Sequence, residues 1–138
     1  MSKIKVVLAL LTTDKGKYVA IHRLNENNYG LPGGKMDEGE AWNIALIREV
    51  FEETGLVLDK DKLRLVYFHE RTEASVDYEI LTACYDEKIS EFFPLNTKEK
   101  HIAPVFMEPA LLFMLTKYKD YFIGLYKELG TDLIHKEI

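Results

Sequence analysis

Three glutamates fall close together in Arg48-Glu49-Val50-Phe51-Glu52-Glu53. On a helix of about 100° per residue, Glu52, Glu49 and Glu53 lie near 20°, 80° and 120°, so one arc carries three carboxylates. Ala41 and Ala45 lie beside them and leave the arc without bulky side chains. Carboxylates at that spacing repel one another, and a hard divalent cation relieves the repulsion. Mg²⁺ suits such a face, because it takes oxygen ligands in near-octahedral geometry from one or two carboxylates, water and substrate phosphates. A solvated helix surface has the same composition, so the glutamates alone do not decide the chemistry.

The elements that would position them can be read in chain order. Residues 41–54 show helical periodicity, with Ile44, Leu46, Ile47, Val50 and Phe51 inside an arc of about 160° that is predicted to face a core. Gly55 followed by Leu56 reads as the helix stop. Before the helix, Gly30, Pro32, Gly33, Gly34 and Gly39 mark a long loop, and a loop of that length in a compact domain is often functional. Residues 4–11 and 17–24 are predicted as strands of a first hairpin turned at Asp14-Lys15-Gly16. Residues 63–70 and 76–86, rich in aromatic and β-branched side chains, are predicted to extend the sheet. Residues 109–115 and 121–129 read as helices, begun by Pro109 and stopped by Gly130. No repeat or linker divides the chain, so residues 1–138 are read as one domain.

Composition narrows the class. With 47% hydrophobic and 30% charged residues the chain is an ordinary globular sequence, and a formal charge of −5 argues against a nucleic-acid duplex as partner. Cys84, the one cysteine, sits in an apolar run and is predicted to be a buried strand thiol. The N-terminal apolar run ends by Leu11, lacks a small-residue cleavage site and is too short to span a bilayer. A cytoplasmic protein with no membrane partner is expected.

The spacing Gly34-x5-Glu40-x7-Arg48-Glu49-Val50-x-Glu52-Glu53-x-Gly55-Leu56 is far more specific than the glutamates alone. A chance match has a probability on the order of 10⁻⁸ at average residue frequencies. It resembles the Nudix hydrolase family, whose box it matches at every specified position. The order of elements around it is similar too, which implies an α/β fold: an α/β/α sandwich with a mixed β-sheet flanked by helices.

The resemblance implies an enzyme that hydrolyses a diphosphate linkage with Mg²⁺, Mn²⁺ serving as a substitute. It implies metal binding by Glu49, Glu52, Glu53 and the Gly33 carbonyl, with Glu49 also a candidate base. Arg48 is expected to orient the glutamates through its bidentate guanidinium, and Glu40 to close the loop onto the helix start. Arg23 and Lys35 resemble positions that contact substrate phosphates. Glu99 resembles a distal loop glutamate that supplies a further ligand or base, with Glu91 and Glu87 as rivals. It is expected on a mobile loop between the last strand and a helix, distant from the metal site until substrate binds.

The four histidines show no paired ligand spacing. The substrate implied by default is a small-molecule nucleotide, a nucleoside triphosphate cleaved to monophosphate and pyrophosphate as in MutT-like members. Around Arg71 to Ser75 the chain lacks the proline and the tyrosine that mark ADP-ribose and dinucleoside-polyphosphate hydrolases. Those substrates, a non-catalytic Nudix-fold module and a homodimer all stay open. Tyr118, Tyr121 and Phe122 are candidates for a base pocket or for core packing.

Overall fold

The computed structural model describes residues 3–130. Strand β1 (Ile4–Leu10) is its centre, because both faces of the strand are covered. Val7 and Ala9, with Leu11 just beyond, enter one core with Ala45, Leu46 and Val50 of helix α1 (Trp42–Thr54). Val6, Leu8 and Leu10 alternate toward a second core with Ile80, Phe122 and Leu125. Burial on both faces explains why this segment reads as a continuous apolar run. Helix α2 (Pro109–Leu115) and helix α3 (Lys119–Leu129) contribute to the second core, so helices flank the sheets on opposite sides.

The strands form two sheets. Short strands β3 (Asn28–Gly30) and β4 (Gly33–Lys35) arise within the glycine-rich segment that was expected to be loop. One sheet has the order β4-β1-β6-β5, where β5 is Leu63–Glu73 and β6 is Val76–Tyr85. In it β1 runs antiparallel to β4 and parallel to β6, which makes the sheet mixed, as expected. The other sheet has the order β3-β2-β7, where β2 is Tyr18–Arg23 and β7 is Ile102–Met107.

Three expectations are corrected. The first hairpin does not form a shared ladder: both edges of β1 are taken by β4 and β6, so β2 pairs with β3 and β7 instead. Only the turn survives, through the bridge between Thr12 and Tyr18 and the Val19 N–H donated to Leu11 O at 3.0 Å.

Helix α1 buries a different face from the apolar arc. Ile44 is 51% exposed and Phe51 36%, whereas Ala45, Glu53 and Thr54 join Leu46 and Val50 inside. Contact with β4 draws the glutamate side of the helix inward. The third correction is β7, which the sequence reading left as a connection. Pro104 argues against a strand, but β7 lies at a sheet edge, where proline is tolerated. Glu99 therefore lies between β6 and β7, and not between a strand and a helix.

Candidate active site

Two adjacent glycines bring β4 against α1. Gly33 has φ +147°, and its N–H donates to Glu53 Oε1 at 2.7 Å. A Cβ at Gly33 would lie 1.9 Å from the Val7 carbonyl oxygen of β1. At Gly34 a Cβ would instead meet the Glu49 carboxylate at 2.5 Å. One glycine admits the neighbouring strand and the other admits an acidic side chain.

Arg48 then orders the acidic groups. It grips Glu40 with two bonds of 3.0 Å, donates to Glu49 Oε1 at 2.9 Å and to Glu52 Oε1 at 3.5 Å, and reaches the Lys35 carbonyl at 3.3 Å. A planar fork suits this work because its donors have fixed directions. Glu40 also accepts the Asp37 N–H at 2.9 Å, closing the loop onto the helix start as expected.

Hydrogen bonds from Arg48, then from Asp37, hold the Glu40 carboxyl down at about 2. A depressed carboxylate pKa contributes stability that is present above the ordinary value, near 4.5, and is lost as pH falls toward the folded value. Glu40→Gln is therefore expected to lower the melting temperature at pH 7, with the gap to the parent closing between pH 4.5 and 2. Melting curves across that range check it; a gap that does not change with pH would contradict it.

The structure brings Glu49, Glu52 and Glu99 together, each offering a carboxylate oxygen within 4.8 Å of the others. Glu99 is thus already at the site, which corrects the expectation of a distant position. Its loop is pinned to the end of α1: Lys98 N–H donates to Glu52 O at 3.0 Å and Asn96 N–H to Thr54 O at 2.9 Å. The Thr97 hydroxyl in turn accepts the Glu99 N–H at 3.0 Å. The rivals are engaged elsewhere, Glu91 by Thr13 at 2.5 Å and Glu87 by Lys62 at 2.7 Å.

Glu53 lies outside this trio. It is 1% exposed, with Oε1 on the Gly33 N–H and Oε2 3.4 Å from Arg23. Burial pushes its carboxyl up to about 8 against the opposing pull of Gly33 N–H and Arg23, and the charges of Glu99 and Glu49 push the same way. Burial also raises Glu49, partly offset by Arg48, with Glu52 and Glu99 adding to the rise. These carboxylates strain one another electrostatically in the way a divalent cation would relieve. The Gly33 N–H faces Glu53 and the residue lies opposite Leu8, which places Gly33 beside the glutamates.

Arg23 also lines a pocket of about 330 Å³ that runs toward Asn28, Arg71, Tyr118, Tyr121 and Phe122. Tyr121 and Phe122 are buried core residues as well, as the packing reading expected. Lys35 is exposed at the end of β4, engaged through its carbonyl. Cys84 is half-buried in β6, more open than expected.

No described histidine joins a metal cluster: His22 stacks on Tyr29 with ring centroids 4.1 Å apart, and His69 bonds Tyr67 at 2.8 Å. His135 lies outside the described residues. Asn28 and Arg71 escaped the sequence reading. They lie on short or alternating strands where a lone polar residue carries no signal.

Comparison with known proteins agrees with this geometry. The family profile for the NUDIX domain matches residues 2–124. A "MutT-like protein" of Streptomyces ambofaciens is 34% identical over 61 residues, 44% of this chain and 40% of that protein, so the match spans well under half of that relative's length. Among solved structures, the MutT protein of Methanosarcina mazei Go1 superposes with a TM-score of 0.75 at 19% identity, covering 94% of this chain and 96% of that one. The NUDIX domain of Shewanella oneidensis NrtR, complexed with ADP ribose, gives 0.74 at 19% identity, covering 95% and 90%. With the box intact from Gly34 to Leu56 and the profile spanning most of its length, this chain belongs to the Nudix hydrolase family.

Proposed function

We propose that this chain uses a divalent cation to hydrolyse the diphosphate linkage of a nucleotide, converting a nucleoside triphosphate to its monophosphate and pyrophosphate. The observation that carries the reading is the meeting of Glu49, Glu52 and Glu99, with neighbouring Glu53 linked through Arg23 to the wall of a pocket. An all-oxygen donor set suits Mg²⁺, with Mn²⁺ as substitute. Glu49, Glu52 and Glu99 would hold it, with Glu53 nearby and the Gly33 carbonyl a further ligand by resemblance to the family. When bound, the cation offsets charge on the diphosphate oxygens and makes the attacking water more acidic.

The chain's own groups do the rest. Arg48 holds Glu49 by Oε1, which leaves Oε2 as the oxygen suited to take a proton from water. Arg23 lies 3.4 Å from buried Glu53 and faces the pocket, where it can meet substrate phosphates. Lys35, at the exposed end of β4, is a second phosphate contact in this reading. No helix among the described residues is long and apolar enough to cross a membrane, and we place the enzyme in the cytoplasm with its nucleotide substrate.

A panel of nucleoside triphosphates, ADP-ribose and dinucleoside polyphosphates with Mg²⁺, run in ¹⁸O water, tests the reading. The expected result is pyrophosphate release from a triphosphate after attack on the inner phosphorus. Label found only in orthophosphate would mean outer-phosphate cleavage and would end the proposal. Gly34→Ala tests the geometry. Its new methyl meets the flexible end of Glu49, so the fold should persist while the carboxylate is displaced. Turnover is expected to fall by roughly tenfold or more, since small misplacements of catalytic groups are costly. Turnover equal to the parent's would show that Glu49 need not stand where it does.

A further inference from the structure

The pocket beside the carboxylates is rich in hydrogen-bond donors and poor in unbalanced charge. Asn28 is 3% exposed, and its Oδ1 accepts the Lys117 N–H at 2.8 Å. Its amide NH₂ is therefore the end left for an occupant, and among the described residues nothing accepts from it. Arg71 is held by Asp120 through Nη2, and its guanidinium lies 4.2 Å from the centre of the Tyr118 ring. Asp120 takes one donor of a five-donor fork, and the others have no acceptor among the described residues. Two cations, Arg23 and Arg71, line the pocket together with two acids, Glu26 and Glu73. Balanced charge favours a neutral occupant over a second phosphate. A volume of about 330 Å³ is near the lower end for small-molecule sites, which suits one nucleoside.

We propose that Arg71 is a specificity-determining residue that selects bases carrying two adjacent acceptors on one edge. This rests on the nucleotide reading of the site. A guanidinium fork pairs two parallel N–H donors with two neighbouring acceptors, which guanine offers as O6 and N7. Cytosine offers the same chemistry as O2 and N3. Adenine sets its amino donor beside N7 or N1, and uracil places N3–H between its two carbonyls, so neither presents such a pair. Glu73 lines the same pocket and is exposed, without an ion-pair partner among the described residues. It adds a hydrogen-bond acceptor to the pocket wall. Asp120 is a positioning residue, since it aims Arg71 and lies at the surface with 66% of its side chain exposed.

Calorimetric titration of the full chain with GMP, CMP, AMP and UMP in the presence of Mg²⁺ reads base preference without relying on hydrolysis. The better of GMP and CMP is expected to bind roughly tenfold to a hundredfold tighter than either AMP or UMP, the usual discrimination from one bidentate contact. Arg71→Lys keeps the charge and removes the fork, and should bring the four affinities to within about threefold. Asp120→Asn, at an exposed position, should narrow the same ratio while leaving the melting temperature near the parent's.

AMP or UMP binding as tightly as the better of the other two would overturn the inference, as would a preference that survives Arg71→Lys or no binding by any of the four. Triphosphates hydrolysed with no base preference would remove this inference and leave the pyrophosphohydrolase reading standing. A base preference without hydrolysis would do the reverse.

Discussion

Replacing Glu52 with glutamine is expected to lower turnover at least about a hundredfold at saturating Mg²⁺, because the substitution removes one of three charges that would hold the cation. Stability should barely respond. The Glu52 side chain is 38% exposed, and its one ion pair among the described residues is the 3.5 Å contact with Arg48. An exposed pair of that kind contributes little to folding. Turnover and thermal melting measured on the same preparations separate the two effects. Near-parent turnover would remove Glu52 from the cation site and with it most of the proposed chemistry. A large drop in melting temperature would instead indicate a structural role that the geometry does not support.

Gly33→Ala should act in the opposite way, on the fold before the chemistry. The new methyl would stand 1.9 Å from the Val7 carbonyl, a backbone atom in the middle of β1, and φ +147° is a conformation that side chains rarely adopt. Steric overlap and backbone strain each cost on the order of 1–3 kcal/mol, so a loss of about 3 kcal/mol or more is expected. That is a large part of the roughly 5–15 kcal/mol that holds a typical domain together. Denaturant unfolding measures it. A loss below about 1 kcal/mol would mean that β4 can slide away from β1 at little cost, and that its placement of Glu53 is soft. Gly34→Ala, one residue on, provides the contrast because its clash is with a movable carboxylate.

The local spacing of residues 34–56 was enough to foresee the helix, the contacts of Arg48 with the glutamates and the family, because each of those depends on neighbours along the chain. Glu99 was named from resemblance, and it does lie near Glu49 and Glu52, although the wrong element was placed after it. The strand that does follow, β7, contains Pro104, which its edge position makes harmless.

The face of α1 was misjudged as well. Hydrophobicity alone points Ile44 and Phe51 inward, yet the close approach that Gly34 permits draws the helix's acidic side toward β4. Glu53 shows the limit most clearly. Its sequence position groups it with Glu52, but its carboxylate is committed to the Gly33 N–H and faces Arg23. Asn28 and Arg71 left no trace in the sequence, since their meeting in one pocket depends on strands far apart in the chain.

Strand β1 alternates its side chains between two separate hydrophobic layers, and this couples their fates. Neither layer can come apart alone, because loosening either one withdraws support from the strand on which the other is built. The molecule should therefore lose its structure in one cooperative step, with the amides of β1 released to solvent only in the fully opened state. The acidic cluster rests on α1, beside β4, and both elements lean on this strand. Its geometry thus inherits the stability of the whole molecule, which backs the local hold of Arg48 on the repelling carboxylates.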